Sequence, residues 1–398
     1  MAELTTIELD NYTVDRRPSI KEADRVKLWV RSGGRCAYCN KYLLDLAYGV
    51  NVGEMAHIVG WTKKANSPRG EADTPLNERN LVENLILLCA EHHKIADSKE
   101  AIEVFTVDRL ALLKKNHEAR IFRLTNLKDD SESVVIRLLG NIRGGTVELS
   151  QQRAMVDLLD CDNKFAHFLD SFDKQGVEID LTTLPEPEEN WDNYWSMGML
   201  ILDNAFRVII EGVKKGKIRH LSIFAFSRIP LLVYLGYKLD DKIPTLLFQK
   251  HRGNTESWVW PEDGGDIEFE AIQTQNSSSS NVILVLNISG TIDLSTIPDS
   301  EGQNIYVLRP KNVLPTRDTV RKRKSLENFT KTYHDFLSQI EVDHKSCSEI
   351  RLFLAAPLTV AIVCGRGIMR NVHPSLAIWD YNGETYAPAL TINSRETN

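Results

Sequence analysis

Two short, matched spacings near the start of the chain constrain its fold more than any other feature. Cys36-Ala37-Tyr38-Cys39 places two sulfurs on one knuckle, and Cys89-Ala90-Glu91-His92 repeats the interval with a sulfur and an imidazole. A lone pair of cysteines at this interval also fits a redox couple. The second knuckle points instead to a closed tetrahedral site, so Cys36, Cys39, Cys89 and His92 are expected to hold a structural Zn2+ that staples two distant segments. The other cysteines, Cys161, Cys347 and Cys364, lie among apolar neighbours and are expected to be plain buried thiols. The first residues lack the apolar core of a secretory signal, and no apolar run is long enough to span a bilayer. The expectation is a cytoplasmic protein with no membrane partner, where metal sites are favoured over disulfides.

At 398 residues the chain is too long for one ordinary core. Residues 20–31 show helical periodicity, 50–60 read as a strand, Asn-Leu-Ile-Leu-Leu at 84–88 is a second apolar run, and a helix is expected over 105–124. Polar breaks at 127–133 and 141–150 suggest a first domain over 1–125, a linker over 126–150 and a second domain over 151–398. In the second domain, strand candidates at 220–226, 245–250, 281–289, 304–310, 349–355 and 375–381 alternate with helical stretches, the longest at 318–341. Such alternation predicts an α/β domain with a largely parallel sheet. The stretch HLSIFAFSRIPLLVYLGYKL followed by PTLLFQK resembles EIRLFLAAPLTVAIVCGRGI followed by PSLAIWDY. Each is a buried strand, a turn ending in proline, an apolar helix with a glycine, and a strand begun by proline. We read this as an internal repeat of two Rossmann-like halves.

His57, in Glu54-Met55-Ala56-His57-Ile58-Val59-Gly60, follows the first predicted strand. Asn84 comes later, and His93 adjoins the second knuckle. A histidine, an asparagine and a histidine set in a zinc-stapled frame resemble the HNH endonuclease family, with its α+β ββα-metal fold. The likeness covers about residues 25–100. It implies metal-dependent hydrolysis of DNA phosphodiesters. Near neutral pH an imidazole can take a proton from water, and a divalent cation neutralises the scissile phosphate. By this resemblance His57 is the general base, His93 a ligand of a catalytic Mg2+ (Mn2+ being the alternative), and Asn84 the residue that orients His57 or its loop. Many HNH enzymes carry a metal-ligating Asp or His directly before the base, where this chain has Ala56. Glu54 is the nearest substitute, but strand alternation sets it on the opposite face from His57. Lys63, Lys64 and Arg69, in the following loop, are candidates for phosphate contacts that position without reading sequence.

The second domain lacks a glycine-rich phosphate fingerprint. Open α/β sheets bind ligands beyond the carboxyl ends of their strands, which selects Arg228, Pro230, Lys250, Trp258, Pro357, Trp379 and Tyr381 as pocket candidates: cations for phosphates, flat rings for bases. The sequences FAFSRIPLLVYLG, EIRLFLAAPLTVAIVCGRGI and HPSLAIWDYN resemble SAVED domains, sensors made of two fused CARF-like, Rossmann-type units. HNH followed by SAVED is similar to the effector nucleases of CBASS antiphage systems. That likeness implies a cyclic di- or trinucleotide activator made by a cGAS-like nucleotidyltransferase, homo-oligomerisation on activation, and degradation of double-stranded DNA with little sequence preference. The formal net charge of −7 fits an effector silent at rest, since constitutive DNA binders usually carry a basic excess. The basic run Arg321-Lys322-Arg323-Lys324 is read as a solvated helix face. A restriction-type HNH enzyme whose C-terminal half recognises modified DNA is the competing reading, and a non-enzymatic, zinc-stapled regulator would leave His57 and His93 without a role.

Overall fold

The structure is a computed structural model describing residues 19–63, 67–126, 131–169, 178–187, 191–251 and 257–394. The chain divides into two compact units, Met1–Lys128 and Asp129–Asn398.

The first unit contains α1 (Glu22–Arg31), β1 (Gly53–His57), β2 (Leu85–Cys89), α2 (Ala90–Ala96) and α3 (Val107–Thr125). β1 and β2 pair antiparallel, with Gly53 opposite Cys89 and His57 opposite Leu85. Every residue of β2 is buried. Its apolar side chains pack with Leu28, Leu43 and Leu110 into a small core. That core takes in Ile58 and Val82 at the two ends of the long segment between β1 and β2, and polar contacts hold the stretch between them. Arg79, fully buried, donates from Nε to the Thr74 carbonyl at 2.9 Å, from Nη1 to Gly60 at 2.7 Å and Gly70 at 3.0 Å, and from Nη2 to Ala72 at 2.9 Å. One guanidinium thus satisfies four carbonyls that would otherwise lack partners. Thr106 caps α3 by accepting from the Arg109 amide at 3.3 Å.

The second unit holds two sheets. β3 (Glu132–Leu139), β4 (Phe165–Phe168), β6 (Leu221–Phe226) and β7 (Thr245–Phe248) form a parallel sheet in the order β4-β3-β6-β7, with the short β5 (Ile179–Asp180) also on β3. α4 (Gln151–Asp162), α5 (Asp192–Lys214) and α6 (Ile229–Leu239) connect them. The other sheet runs β13-β12-β11-β9-β10-β8, from β8 (Phe269–Gln275), β9 (Val282–Asn287), β10 (Asn304–Pro310), β11 (Glu349–Ala355), β12 (Ser375–Tyr381) and β13 (Tyr386–Ile392). Its inner four strands are parallel and its two edge strands antiparallel. α7 (Arg323–Asp343) and α8 (Leu358–Arg366) complete the unit, and one apolar core draws residues from both sheets.

The expected linker over 126–150 is corrected by β3. Val134, Val135, Ile136 and Leu138 are buried, and this strand lies between β4 and β6. A central parallel strand is a short continuous apolar run without alternation, and between two polar breaks such a run has no period that sets it apart from a connection. Residues 141–150 are an irregular link to Ser150, the N-cap of α4.

The internal repeat has a structural counterpart. β6-α6-β7 and β11-α8-β12 are successive parallel units, Pro230 sits in the first turn of α6, and Pro357 is the N-cap of α8. The two helices cross at Gly236 and Gly365, each the eighth residue of its helix. A Cβ at Gly236 would lie 2.0 Å from the Ile362 carbonyl oxygen, and one at Gly365 would lie 1.9 Å from that of Val233. Backbones this close leave room for hydrogen only.

Candidate functional sites

The two knuckles meet as their spacing predicts. β2 delivers Cys89 to the start of α2, and His92 follows within its first turn. The ligand atoms of Cys36, Cys39, Cys89 and His92 all lie within 4.8 Å of one another. Cys39 and Cys89 sulfurs are 4.0 Å apart, and the Cys89 sulfur is 3.0 Å from His92 Nδ1. A disulfide requires about 2.05 Å, whereas a tetrahedral zinc site with 2.3 Å bonds separates its sulfurs by about 3.8 Å. The donor set fits zinc. Tyr38 backs the knuckle, its ring 4.4 Å from that of His92.

Of the three residues selected from sequence, His93 directly follows the knuckle ligand His92, while His57 and Asn84 lie at the other end of the β1–β2 pair from Cys89. His57, the last residue of β1, is buried, and its Nε2 lies 2.9 Å from Asn80 Oδ1. An amide oxygen only accepts, so this contact is satisfied when the neutral ring carries its hydrogen on Nε2. Asn84 does not reach the His57 ring by these contacts. It accepts from the Val59 amide at 2.9 Å and donates to the carbonyls of Val59 and Arg79, both at 2.9 Å. It therefore clamps the backbone two residues beyond His57. His93, on α2, hydrogen-bonds Glu54 through Nδ1, and its Nε2 lies 3.2 Å from Asp97 Oδ2. The Asp97 contact raises the His93 pKa most; burial opposes the rise and Glu54 adds to it. Burial pulls Asp97 upward, but His93 and Arg69 outweigh it and leave its carboxyl below the ordinary range.

Asn80, Asp97 and the roles of Arg69 and Arg79 escaped the sequence reading. Arg69 was a candidate for phosphate contact, yet its side chain is only 6% exposed. It donates to the carbonyls of His57 (3.3 Å), Ile58 (2.7 Å), Ala96 (2.7 Å) and Phe105 (3.4 Å), and to Asp97 Oδ1 at 2.5 Å. With those donors spent inside the protein, it is an internal brace. Lys63 lies on the same loop, and Lys64 falls outside the described residues. Glu54 and His57 differ in exposure, open and buried, as strand alternation requires.

In the second unit the strand-end rule finds one dense polar cluster. Arg228, at the carboxyl end of β6 and the N-cap of α6, is buried. It donates from Nε to Glu186 at 2.6 Å and from Nη1 to Asp380 of β12 at 2.9 Å, and its guanidinium lies 4.3 Å over the Trp191 ring. It therefore ties the two halves of the repeat. Burial drives the Asp380 pKa up against the pull of Arg228. Glu186, though burial opposes it, is held low by Arg228 and by the amides of Gly144 and Arg143. Beside this cluster Tyr194 OH and Ser227 Oγ are buried without a hydrogen-bond partner among the described residues. Burial pushes the Tyr194 phenol up to about 12.

The remaining pocket candidates are dispersed. Tyr381, 38% exposed, is next to Asp380 at the end of β12. Trp379 is half-buried and stacks on Phe353 at 5.4 Å. Pro230 and Pro357 shape helix starts, and Lys250 lies just beyond β7. Trp258 is fully buried against Phe224 at 5.7 Å, a core residue with no face open to a ligand. Glu186 was missed, and the pairing of Asp380 with Arg228 was not foreseen although the strand end Trp379–Tyr381 was selected, because neither carboxylate adjoins Arg228 in sequence. The one available signal for Glu186 was the acidic stretch 181–190.

Among the described residues no helix is long and apolar enough to cross a membrane. No curated protein sequence matches the chain. Similar solved structures include the Acinetobacter baumannii Cap4 SAVED/CARF-domain containing receptor with the cyclic trinucleotide 3'3'3'-cAAA, at 16% identity and TM-score 0.42, covering 74% of this chain and 61% of that one. The same receptor with 2'3'3'-cAAA gives 16% and 0.39, with the same coverage. The Moraxella osloensis Cap4 SAVED/CARF-domain containing receptor gives 16% and 0.36, covering 74% of this chain and 60% of that one. The chain thus spans about three fifths of the length of these structures. Residues 201–392 match the family model described as "SMODS-associated and fused to various effectors sensor domain". This part of the chain is a SAVED domain.

Proposed function

We propose that the chain is a metal-dependent HNH endonuclease that cuts double-stranded DNA with little sequence preference, and that a cyclic oligonucleotide bound by its SAVED domain switches it on in antiphage defence. The observation that carries this reading is the joining, in one chain, of a SAVED domain to a unit that carries a four-ligand knuckle, His57 and, directly after the knuckle ligand His92, the Glu54–His93 pair. A closed knuckle of this composition suits a structural Zn2+, which leaves the chemistry to the neighbouring residues.

In this mechanism His57 accepts a proton from the attacking water on Nδ1, while its Nε2–H stays on the Asn80 amide. Asn84 fixes the backbone that carries His57. Glu54 and His93 would hold the divalent cation, Mg2+ or Mn2+, and it would supply the charge that neutralises the scissile phosphate. Arg228 offers its charge to a phosphate of the activator in place of Glu186 or Asp380. Ligand-driven association of several copies then raises the local concentration of nuclease units on DNA.

The test is plasmid cleavage in Mg2+ with and without a panel of cyclic di- and trinucleotides, using the full chain and His57→Ala. Cleavage is expected with one member of the panel only, and the substitution should lower it by about 10²- to 10⁴-fold at unchanged zinc content. Equal cutting without any nucleotide would favour the restriction-type enzyme. No cutting under any condition would remove the nuclease assignment.

A further inference from the structure

His93 is bracketed, with a carboxylate on each ring nitrogen: Glu54 on Nδ1 and Asp97 on Nε2. An imidazole that ligates a cation gives one nitrogen to the ion and donates the other N–H to an acceptor that fixes the ring. Only one of the two carboxylates can share the ion with His93, and the other must orient it.

Their surroundings decide which. Glu54 projects from β1 with its side chain 47% exposed, and among the described residues its polar partner is His93. Asp97 is the C-cap residue of α2, one turn beyond His93. Its second oxygen is held at 2.5 Å by Arg69, whose other donors are committed to the carbonyls of His57, Ile58, Ala96 and Phe105. Asp97 cannot swing without breaking that brace, whereas Glu54 turns about its own side-chain bonds. The same guanidinium reaches the backbone of His57, so one side chain sets both histidines in a common frame.

We infer that Asp97, anchored by Arg69, is the positioning residue of His93, leaving Nδ1 and Glu54 as the cation-facing pair. The inference rests on the nuclease reading and fills the position that Ala56 leaves open. It assigns Arg69 an orienting role, distinct from contact with DNA.

The experiment is a Mn2+ titration of the zinc-loaded full chain, followed by the electron paramagnetic resonance signal of unbound Mn2+, without DNA. The double variant Glu54→Gln, His93→Ala sets the background. Asp97→Asn should weaken the site by about 10- to 100-fold while zinc content and thermal melting stay those of the native chain. Arg69→Gln should weaken it in the same direction, and Asp97→Glu should recover part of the loss. Should Asp97→Asn disturb zinc content or melting, the Arg69→Gln and Asp97→Glu titrations decide alone. Native affinity in Asp97→Asn, or in Arg69→Gln where that variant decides, would overturn the inference and leave the nuclease reading standing. A native chain that binds no Mn2+ above background would overturn both.

Discussion

The two units are held together in different ways. The first has a two-stranded sheet, three helices and a small core, and much of its chain is fixed by side chains bonding to backbone: Arg79 to four carbonyls, Arg69 to four more and to Asp97, Asn84 to Val59 and Arg79. The second buries the inner strands of two sheets and locks its central helices backbone to backbone. Few residues with exacting chemistry specify the first unit, and many residues with interchangeable apolar bulk specify the second. Perturbations that target chemistry should therefore strike one unit and spare the other.

Metal removal gives the largest contrast. A structural zinc site contributes about 10–16 kcal/mol of folding free energy in small domains. Chelation, or Cys89→Ser, is expected to unfold the first unit and leave the second with native protection in amide hydrogen exchange; equal loss in both would break the comparison. Arg79→Ala comes next. It orphans carbonyls of Thr74, Gly60, Gly70 and Ala72, each costing about 1–3 kcal/mol where water cannot reach. Urea denaturation should show this loss in the first transition only. Gly365→Ala is the counterpart in the second unit: the added methyl meets the Val233 carbonyl, and overpacking of this kind costs about 1–3 kcal/mol, read in the second transition.

A last contrast comes through pH. His220 and His251 are both pushed down to about 4, chiefly by burial. The unfolded chain, with histidines near 6.5, binds their protons first. Their contribution is complete above about pH 6.5 and is lost as pH falls through about 4. Melting of the second unit should decline over that window, and His220→Gln should flatten the decline.

Legibility in the sequence follows the same division. Cys36, Cys39, Cys89 and His92 were readable because a knuckle is local and its ligands are few in kind. Asn80 and Asp97 were not, because their partners depend on the path of a long loop that no periodicity describes. In the second unit the strands expected at 220–226, 281–289, 349–355 and 375–381 were legible from apolar runs and correspond to β6, β9, β11 and β12. β3 was not, since a single apolar run between polar breaks carries no period, and the edge strand β13 holds a proline at Pro388 that masks it. Arg228 could be selected by the rule for strand ends. Its partner Asp380 lies 152 residues away, and a pairing at that distance is set by tertiary packing.

The reciprocal crossing of α6 and α8 has a mechanical consequence. Each glycine presses on a carbonyl of the opposite helix, so the joint has no slack along either axis. Sliding one half against the other would drive backbone into backbone, while turning about the point of contact leaves both glycine contacts in place. The crossing therefore constrains translation between the two halves of the repeat more than rotation about the point where Gly236 and Gly365 meet the opposite helix.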